Sequence, residues 1–275
     1  MVLNVLLAVS TGLLLTAAPS FAGSMIIVGN GPELPIIERL ARGFEKGHFG
    51  SVVEIQWDKD QDAVRMVKSG EAHVAVTGQQ DPDLAATPIG WDGIAVVVYV
   101  GNPVKELTMQ QVAAIFSGKV TQWAELNGQG SAIQLIDRPQ NQHIRHSFEE
   151  ALGIVGQIPK SAKVIPSDQT AMSTVAGNLS AVTYTSLRSA LDAMKYGVDV
   201  HMLLIDQVEA GAQPVKDGRY QLRRPVLLLS RKEPNPVAEA FAEFALSQKG
   251  QDIIGEMYTP YSPSDAQQLQ QDPRP

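Results

Sequence analysis

The chain contains no cysteine. That excludes disulfides, thiolate metal sites and attachment of a lipid at an N-terminal cysteine. It lacks an excess of basic residues: 22 Lys and Arg stand against 29 Asp and Glu, a net charge of −7. Nucleic acids and anionic membranes call for basic faces, so neither is an expected partner. The same field repels small anions, so an anion site here must work through short-range, directed donors. No apolar run reaches the roughly 20 residues that span a bilayer, and Ile94 to Val100 is only strand-sized. No G-x-S-x-G elbow, H-E-x-x-H pair, P-loop or G-x-G-x-x-G turn occurs, and the carboxylates are scattered. The expectation is a protein that is not an enzyme and needs no cofactor.

What is present begins with a short apolar stretch, Val5 to Leu15, followed by Thr16-Ala17-Ala18-Pro19-Ser20-Phe21-Ala22-Gly23. Small residues stand three and one before a cut after Ala22, the pattern of a secretory signal peptide over 1–22. The expected location is periplasmic, as a soluble protein freed by that cleavage. About 250 residues remain, enough for one large or two ordinary domains.

Strand and helix patterns then alternate. Met25 to Val28 is β-rich and ends at Gly29-Asn30-Gly31-Pro32, after which Ile36, Ile37, Leu40 and Phe44 recur at helical spacing. Val52 to Gln56 alternates as a strand; Ala63, Met66 and Val67 mark a helix; Ala72 to Val76 is a third strand. Such a βαβαβ unit implies a mostly parallel sheet with helices on its faces, an α/β fold. Ile94 to Val100 is apolar on both alternations and reads as a strand buried on both faces. Thr108 and Gln111 fit a capping box opening a helix with Val112, Ile115 and Phe116 inward. Strands are expected at Ile133 to Ile136, Ala181 to Tyr184 and Pro225 to Leu229, and a helix with Phe148 and Leu152 follows the first of these. Asn235-Pro236 places a cap and a proline at the start of a helix carrying Val237, Phe241 and Phe244. Residues 263–275 turn polar and rich in Gln, Asp and Pro, the composition of a disordered tail.

Two strand-to-helix loops have the makings of an anion cradle. In Gly29-Asn30-Gly31-Pro32, glycines permit close backbone approach and the helix start offers free N–H groups. An ordinary tight turn has the same composition, and Glu33 opposes an anion unless its side chain points away. The second loop runs from Arg138 to Arg145. Arg138 offers a forked donor set, and His143, Arg145 and His146 crowd a helix start where cations oppose the dipole. A bound anion would offset that cost; a solvated basic loop is the plainer alternative. His143 and His146 share a helical face, but with no cysteine and no acid closer than Glu149 and Glu150 a metal is not expected. Trp91 and Trp123 read as core or inter-lobe residues.

Several of these residues carry a resemblance. The opening Gly29-Asn30-Gly31-Pro32-Glu33-Leu34-Pro35, the stretch Leu107-Thr108 through Ile115-Phe116-Ser117-Gly118-Lys119-Val120-Thr121-Gln122-Trp123, and the return segment Gly218 to Val226 resemble the phosphate-binding, PstS-like components of ABC importers. The middle stretch is the most specific. The likeness covers residues 24–262 and implies a two-lobed periplasmic binding protein fold of type II. Lobe one would comprise 24–92 plus 226–262 and lobe two 93–225, with crossing segments near 90–95 and 213–226 about which the lobes close on an oxyanion.

The ligand loops depart from the family pattern. Its Arg-x-x-x-Ser-Gly-Thr-Arg runs here as Arg138-Pro139-Gln140-Asn141-Gln142-His143-Ile144-Arg145; its second, glycine-rich loop appears as Asp58-Lys59-Asp60-Gln61-Asp62; its third reads Thr77-Gly78-Gln79-Gln80-Asp81. The resemblance puts Asn30, Gly31, Lys59, Thr77, Gly78, Gln79, Arg138, Gln142, His143 and Arg145 around the ligand. It implies a monomer that captures phosphate or a related oxyanion for ABC permease subunits. The alternative is a periplasmic sensor or interaction protein that has given up phosphate; an unrecognised periplasmic enzyme is a third possibility.

Overall fold

The computed structural model describes residues 23–58, 60–128 and 130–262. The expected signal peptide, the polar tail and Lys59 lie outside the described residues.

In chain order the elements are β1 (Gly23–Gly29), α1 (Leu34–Gly47), β2 (Ser51–Trp57), α2 (Ala63–Ser69), β3 (Val74–Thr77) and β4 (Ala85–Tyr99). Then come β5 (Glu106–Leu107), α3 (Met109–Phe116), a 3₁₀ turn at Trp123–Leu126, β6 (Gln134–Asp137), α4 (His143–Leu152) and β7 (Lys163–Val164). They continue as α5 (Asp168–Val175), β8 (Ala181–Ser186), α6 (Leu187–Lys195), β9 (Val200–Met202), β10 (Leu204–Ile205) and α7 (Ala212–Lys216). The chain closes with β11 (Arg223–Ser230), α8 (Pro236–Leu246), α9 (Gln248–Ile254) and β12 (Thr259–Pro260).

The expected βαβαβ unit forms: β1 lies between β2 and β3 and is parallel to both. β11 adds antiparallel to β3, and β4 adds antiparallel to β11. β4 then runs on into the second half of the molecule, where residues 94–98 pair with β8; β8, β6 and β7 are parallel in turn. The result is a two-lobed α/β fold, each lobe a sheet segment with helices on its faces.

Each lobe buries its own apolar faces. In the first, Met25, Ile27, Ile36, Leu40 and Phe44 pack with Phe241 and Phe244 of α8. In the second, Ile94, Phe116, Trp123, Phe148 and Tyr184 share a core, which Trp91 joins from the strand that crosses between the lobes. Phe148 stacks on Tyr184 at 3.9 Å between ring centroids, with Phe116 edge-on to both. Both tryptophans are therefore core residues.

β4 begins nine residues before the expected Ile94. Its first half, Ala85 to Gly93, contains Pro88 and two glycines, which suppress a strand reading. Pro88 is tolerated because the register against β11 shifts between Val226 and Leu227, opposite Pro88 to Gly90. The Thr108 capping box is present in full, with Thr108 Oγ1 accepting from Gln111 N–H and Gln111 Oε1 from Thr108 N–H.

Candidate functional site

The chain leaves β1 at Gly29 and enters α1 through Gly31, Pro32 and Glu33. Glu33 is the N-cap of α1, yet its side chain makes no capping bond. It turns into the seam between the lobes and is fully buried. There its carboxylate pairs with Arg224 Nη2, and its second oxygen lies 3.3 Å from His143 Nε2. Gly31 makes room for this: a Cβ there would lie 2.3 Å from both Glu33 Oε2 and His143 Nε2.

Arg224 comes from the start of β11, where its register partner across the sheet is Asp92 of β4. The pairing brings the two side chains together: Arg224 Nη2 donates to Asp92 Oδ2 at 2.8 Å, and Ser186 Oγ donates to Asp92 Oδ1 at 3.0 Å. Arg224 Nη1 lies 2.8 Å from His143 Nδ1, and Gly78 N–H donates to that nitrogen at 3.0 Å. With two donors facing it, Nδ1 is the acceptor, and Nε2 carries the ring proton toward Glu33. Ser147, one turn along α4 from His143, is buried with an unpartnered hydroxyl. A Cβ on Gly78 would come 3.1 Å from both Ser147 Oγ and Arg224 Nη1. Glu33, Gly78, Asp92, His143, Ser147 and Arg224 thus form one buried polar cluster, drawn from both lobes.

The two acids of the cluster share one guanidinium, and their environments drive them apart. Burial works against the ionised form of Glu33, but the guanidinium of Arg224, with His143 beside it, outweighs it, so its carboxyl is held well below the usual range. Burial and the neighbouring Glu33 charge push Asp92 up to about 6 against the pull of Arg224. Tyr258, whose hydroxyl donates to Pro32 O at 3.2 Å, is likewise raised well above its ordinary value by burial and by both acids.

Cavities flank the cluster. One of about 240 Å³ is lined by Asn30, Gln61, Thr77, Gln79, Asn141 and His146, among others. Another, of about 270 Å³, is lined by Gly31, Gln142, Ser167, Asp168 and Ser189, with Asn30 reaching both.

Most of the expected site residues gather at this seam. Asn30 Nδ2 donates to Gln61 O and, across the seam, to Asn141 O at 3.0 Å. Gln79 Nε2 donates across it to Glu150 at 3.0 Å, while Thr77 Oγ1 accepts from Gln79 N–H. Gln142 Nε2 donates to Pro166 O at 3.0 Å.

The two arginines behave otherwise. Arg138 is fully buried within the second lobe. It donates to the carbonyls of Ile165, Ser167 and Tyr184 and pairs with Asp168 at 3.0 Å. Arg145 closes on Asp137 at 3.2 Å and Glu149 at 3.1 Å. The cost of basic residues at the α4 start is thus met, for Arg145, by carboxylates of its own lobe. The residues sequence reasoning missed are Glu33 as an inward group, Asp92, Ser147 and Arg224. Arg224 lies within the Gly218 to Val226 return segment, the one available signal. Among the described residues no group of His, Asp and Glu is arranged to hold a metal, and no helix is long and apolar enough to cross a membrane.

The profile of the PBP superfamily domain matches residues 16–249. The phosphate-binding protein PstS of Pseudomonas aeruginosa is 23% identical over 266 residues, covering 86% of this chain and 82% of that one. Phosphate-binding protein PstS 2 of Streptococcus agalactiae is 30% identical over 112 residues; that match covers 38% of each chain, under half of the relative's length. A phosphate ABC transporter substrate-binding protein from Clostridium perfringens, solved with bound phosphate, superposes with a TM-score of 0.78 at 25% identity, covering 87% of this chain and all of that one. The chain belongs to the PBP superfamily, within which its likeness is to the PstS phosphate-binding proteins.

Proposed function

We propose that this protein binds phosphate between its lobes, outside the cytoplasm, and delivers it to an ABC permease without turning it over. The observation that carries the reading is Arg224. It is a fully buried guanidinium that meets Glu33 and Asp92 on one side and His143 on the other, where the halves of the molecule join. A forked, permanently charged donor at that junction is suited to a tetrahedral oxyanion.

Backbone amides at the helix starts supply further donors, and Gly78, whose N–H donates to His143 Nδ1, sits beside them; the ligand set is Asn30, Gly31, Gly78, Gln142, His143 and Arg224. Arg138 and Arg145 stand behind it as positioning residues: Arg138 ties the loop at 165–168 to β8, and Arg145 ties α4 to β6. Lobe one comprises 24–92 with 226–262 and lobe two 93–225; β4 and β11 are the crossing strands. Residues 1–22 direct export to the periplasm, and the freed protein acts as a monomer. The likeness to phosphate-binding relatives supports this reading and lends none to a scaffold that has given up phosphate.

Thermal-shift titration of the protein from residue 23 with phosphate, sulfate, molybdate and arsenate tests it. A ligand at 100 times its Kd adds about 2.7 kcal/mol, so phosphate should give a saturable rise in Tm. A flat response to all four anions rules the function out.

A further inference from the structure

The proposed anion site already holds an anion. Arg224 brings one positive charge to the seam, and two carboxylates, Glu33 and Asp92, lie against it. His143 Nδ1 accepts from Arg224 and from Gly78, so the ring brings a donor at Nε2 but no charge. Even with a proton on Asp92 the cluster is neutral. A phosphate added beside Glu33 would be an uncompensated buried charge, which costs several kcal/mol.

Glu33 fills the seat poorly. Its Oε1 is paired with Arg224, but Oε2 has no hydrogen bond, and neither has His143 Nε2 facing it. Arg224 Nε and Ser147 Oγ are also buried without a partner. Three donors in one cluster therefore lack a hydrogen-bonded acceptor: Oε2 comes within 3.3 Å of His143 Nε2 without forming a bond to it, and a two-oxygen carboxylate on a short tether leaves Arg224 Nε and Ser147 Oγ unmet as well. A tetrahedral oxyanion has four oxygens and is not tethered.

Glu33 is also placed to leave. It caps α1 through its backbone only, its C=O accepting from Ile36 and Ile37 N–H, so no helix bond holds the side chain. Gly31 and Pro32 beside it line the 270 Å³ cavity, which can receive the displaced side chain.

We infer that Glu33 is a tethered competitor for the anion: its carboxylate occupies the seat on Arg224 and His143, and an oxyanion binds only as Glu33 moves out. The inference rests on the anion site proposed above. Glu33 then sets selectivity. A singly charged ion with few oxygens gains too little to displace it, whereas a multiply charged tetrahedral oxyanion meets both Arg224 and the unpartnered donors.

The test is calorimetric titration of inorganic phosphate into the wild type, Glu33→Gln and Glu33→Asp. Glu33→Gln removes the charge and leaves Asp92 to balance Arg224. Glu33→Asp keeps the charge and withdraws its reach by one methylene, so either variant reports if the other fails to fold. Phosphate should bind at least tenfold tighter to both variants than to the wild type. Binding to the variants with none to the wild type would also support the inference, as the limit of complete self-occupancy. Wild-type binding with equal or weaker affinity in both variants overturns it and leaves the phosphate reading intact. No phosphate binding by any of the three overturns the anion site itself.

Discussion

Glu33 and Arg224 stand 191 residues apart in the chain and form a fully buried ion pair at the junction of the two lobes. Glu33 comes from the N-cap of α1 and Arg224 from the strand that returns between the lobes. Asp92, on the neighbouring crossing strand, shares the guanidinium at 2.8 Å. One cation thus couples the opening loop to both crossing strands.

Removing that cation should be costly. Arg224→Ala leaves two buried carboxylates without their counter-ion, and breaking a buried pair in this way costs about 3–5 kcal/mol. Urea unfolding at neutral pH measures it, and the phosphate-induced rise in Tm should vanish as well. Arg224→Lys should recover only part of both, because an ammonium cannot present a planar fork to Glu33, Asp92 and His143 together. A loss under about 1 kcal/mol would mean the pair behaves as a solvated one.

The pH dependence follows from Asp92. Its folded pKa, about 6, lies above the ordinary aspartate value. Between those values the folded state binds the extra proton, so this group's contribution to stability falls as pH rises through 6. Asp92→Asn removes that decline. The stability of the variant relative to wild type, from urea curves, should therefore increase from pH 4.5 to 7.5. Glu33 has the opposite sign: its folded pKa is depressed, so its contribution holds above the ordinary carboxylate range and fades only below it. A difference between variant and wild type that does not change with pH would place the proton elsewhere.

Arg138→Met should destabilise the second lobe by about 3 kcal/mol, because three carbonyls, two of them in buried bonds, and Asp168 lose a charged donor. Hydrogen exchange should show the effect first at residues 165–168. Local protection unchanged from wild type would contradict the positioning role.

Thr108→Ala removes the hydroxyl half of the capping box at α3 and leaves the Gln111 side chain accepting from the backbone N–H of residue 108. The expected cost is about 1 kcal/mol, read as a shift of the urea midpoint with an unchanged slope. Gln111→Ala alone should cost less, since the hydroxyl bond to the helix amide survives.

The α/β alternation was legible because each of the first three strands and two helices carries its own apolar period. The caps at Thr108 and Asn235 were legible because both partners of each lie within a few residues. The first half of β4 was not: Pro88, Gly90 and Gly93 mask it, and the register shift opposite Val226 and Leu227, which accommodates Pro88, is set by the partner strand. α5 was also missed, since Asp-Gln-Thr-Ala-Met-Ser-Thr-Val presents a thin apolar stripe. At the site, Asn30, Gly31 and His143 stand in loops picked out by position, and Gly78 in one picked out by the resemblance. The direction of Glu33 could not, because what draws it inward is a guanidinium from the far end of the chain.

The α/β alternation and the strand-to-helix loops that meet at the seam were written in local periodicity and turn residues, and the family in the resemblance that three short stretches carry. Tertiary structure alone decided which charges face one another. Arg138 and Arg145 turn to carbonyls and carboxylates of their own lobe, while Arg224 holds the seam. Burial makes an unpaired charge so costly that each side chain goes to the partner it can reach in space, and that partner is set by how the strands and helices pack.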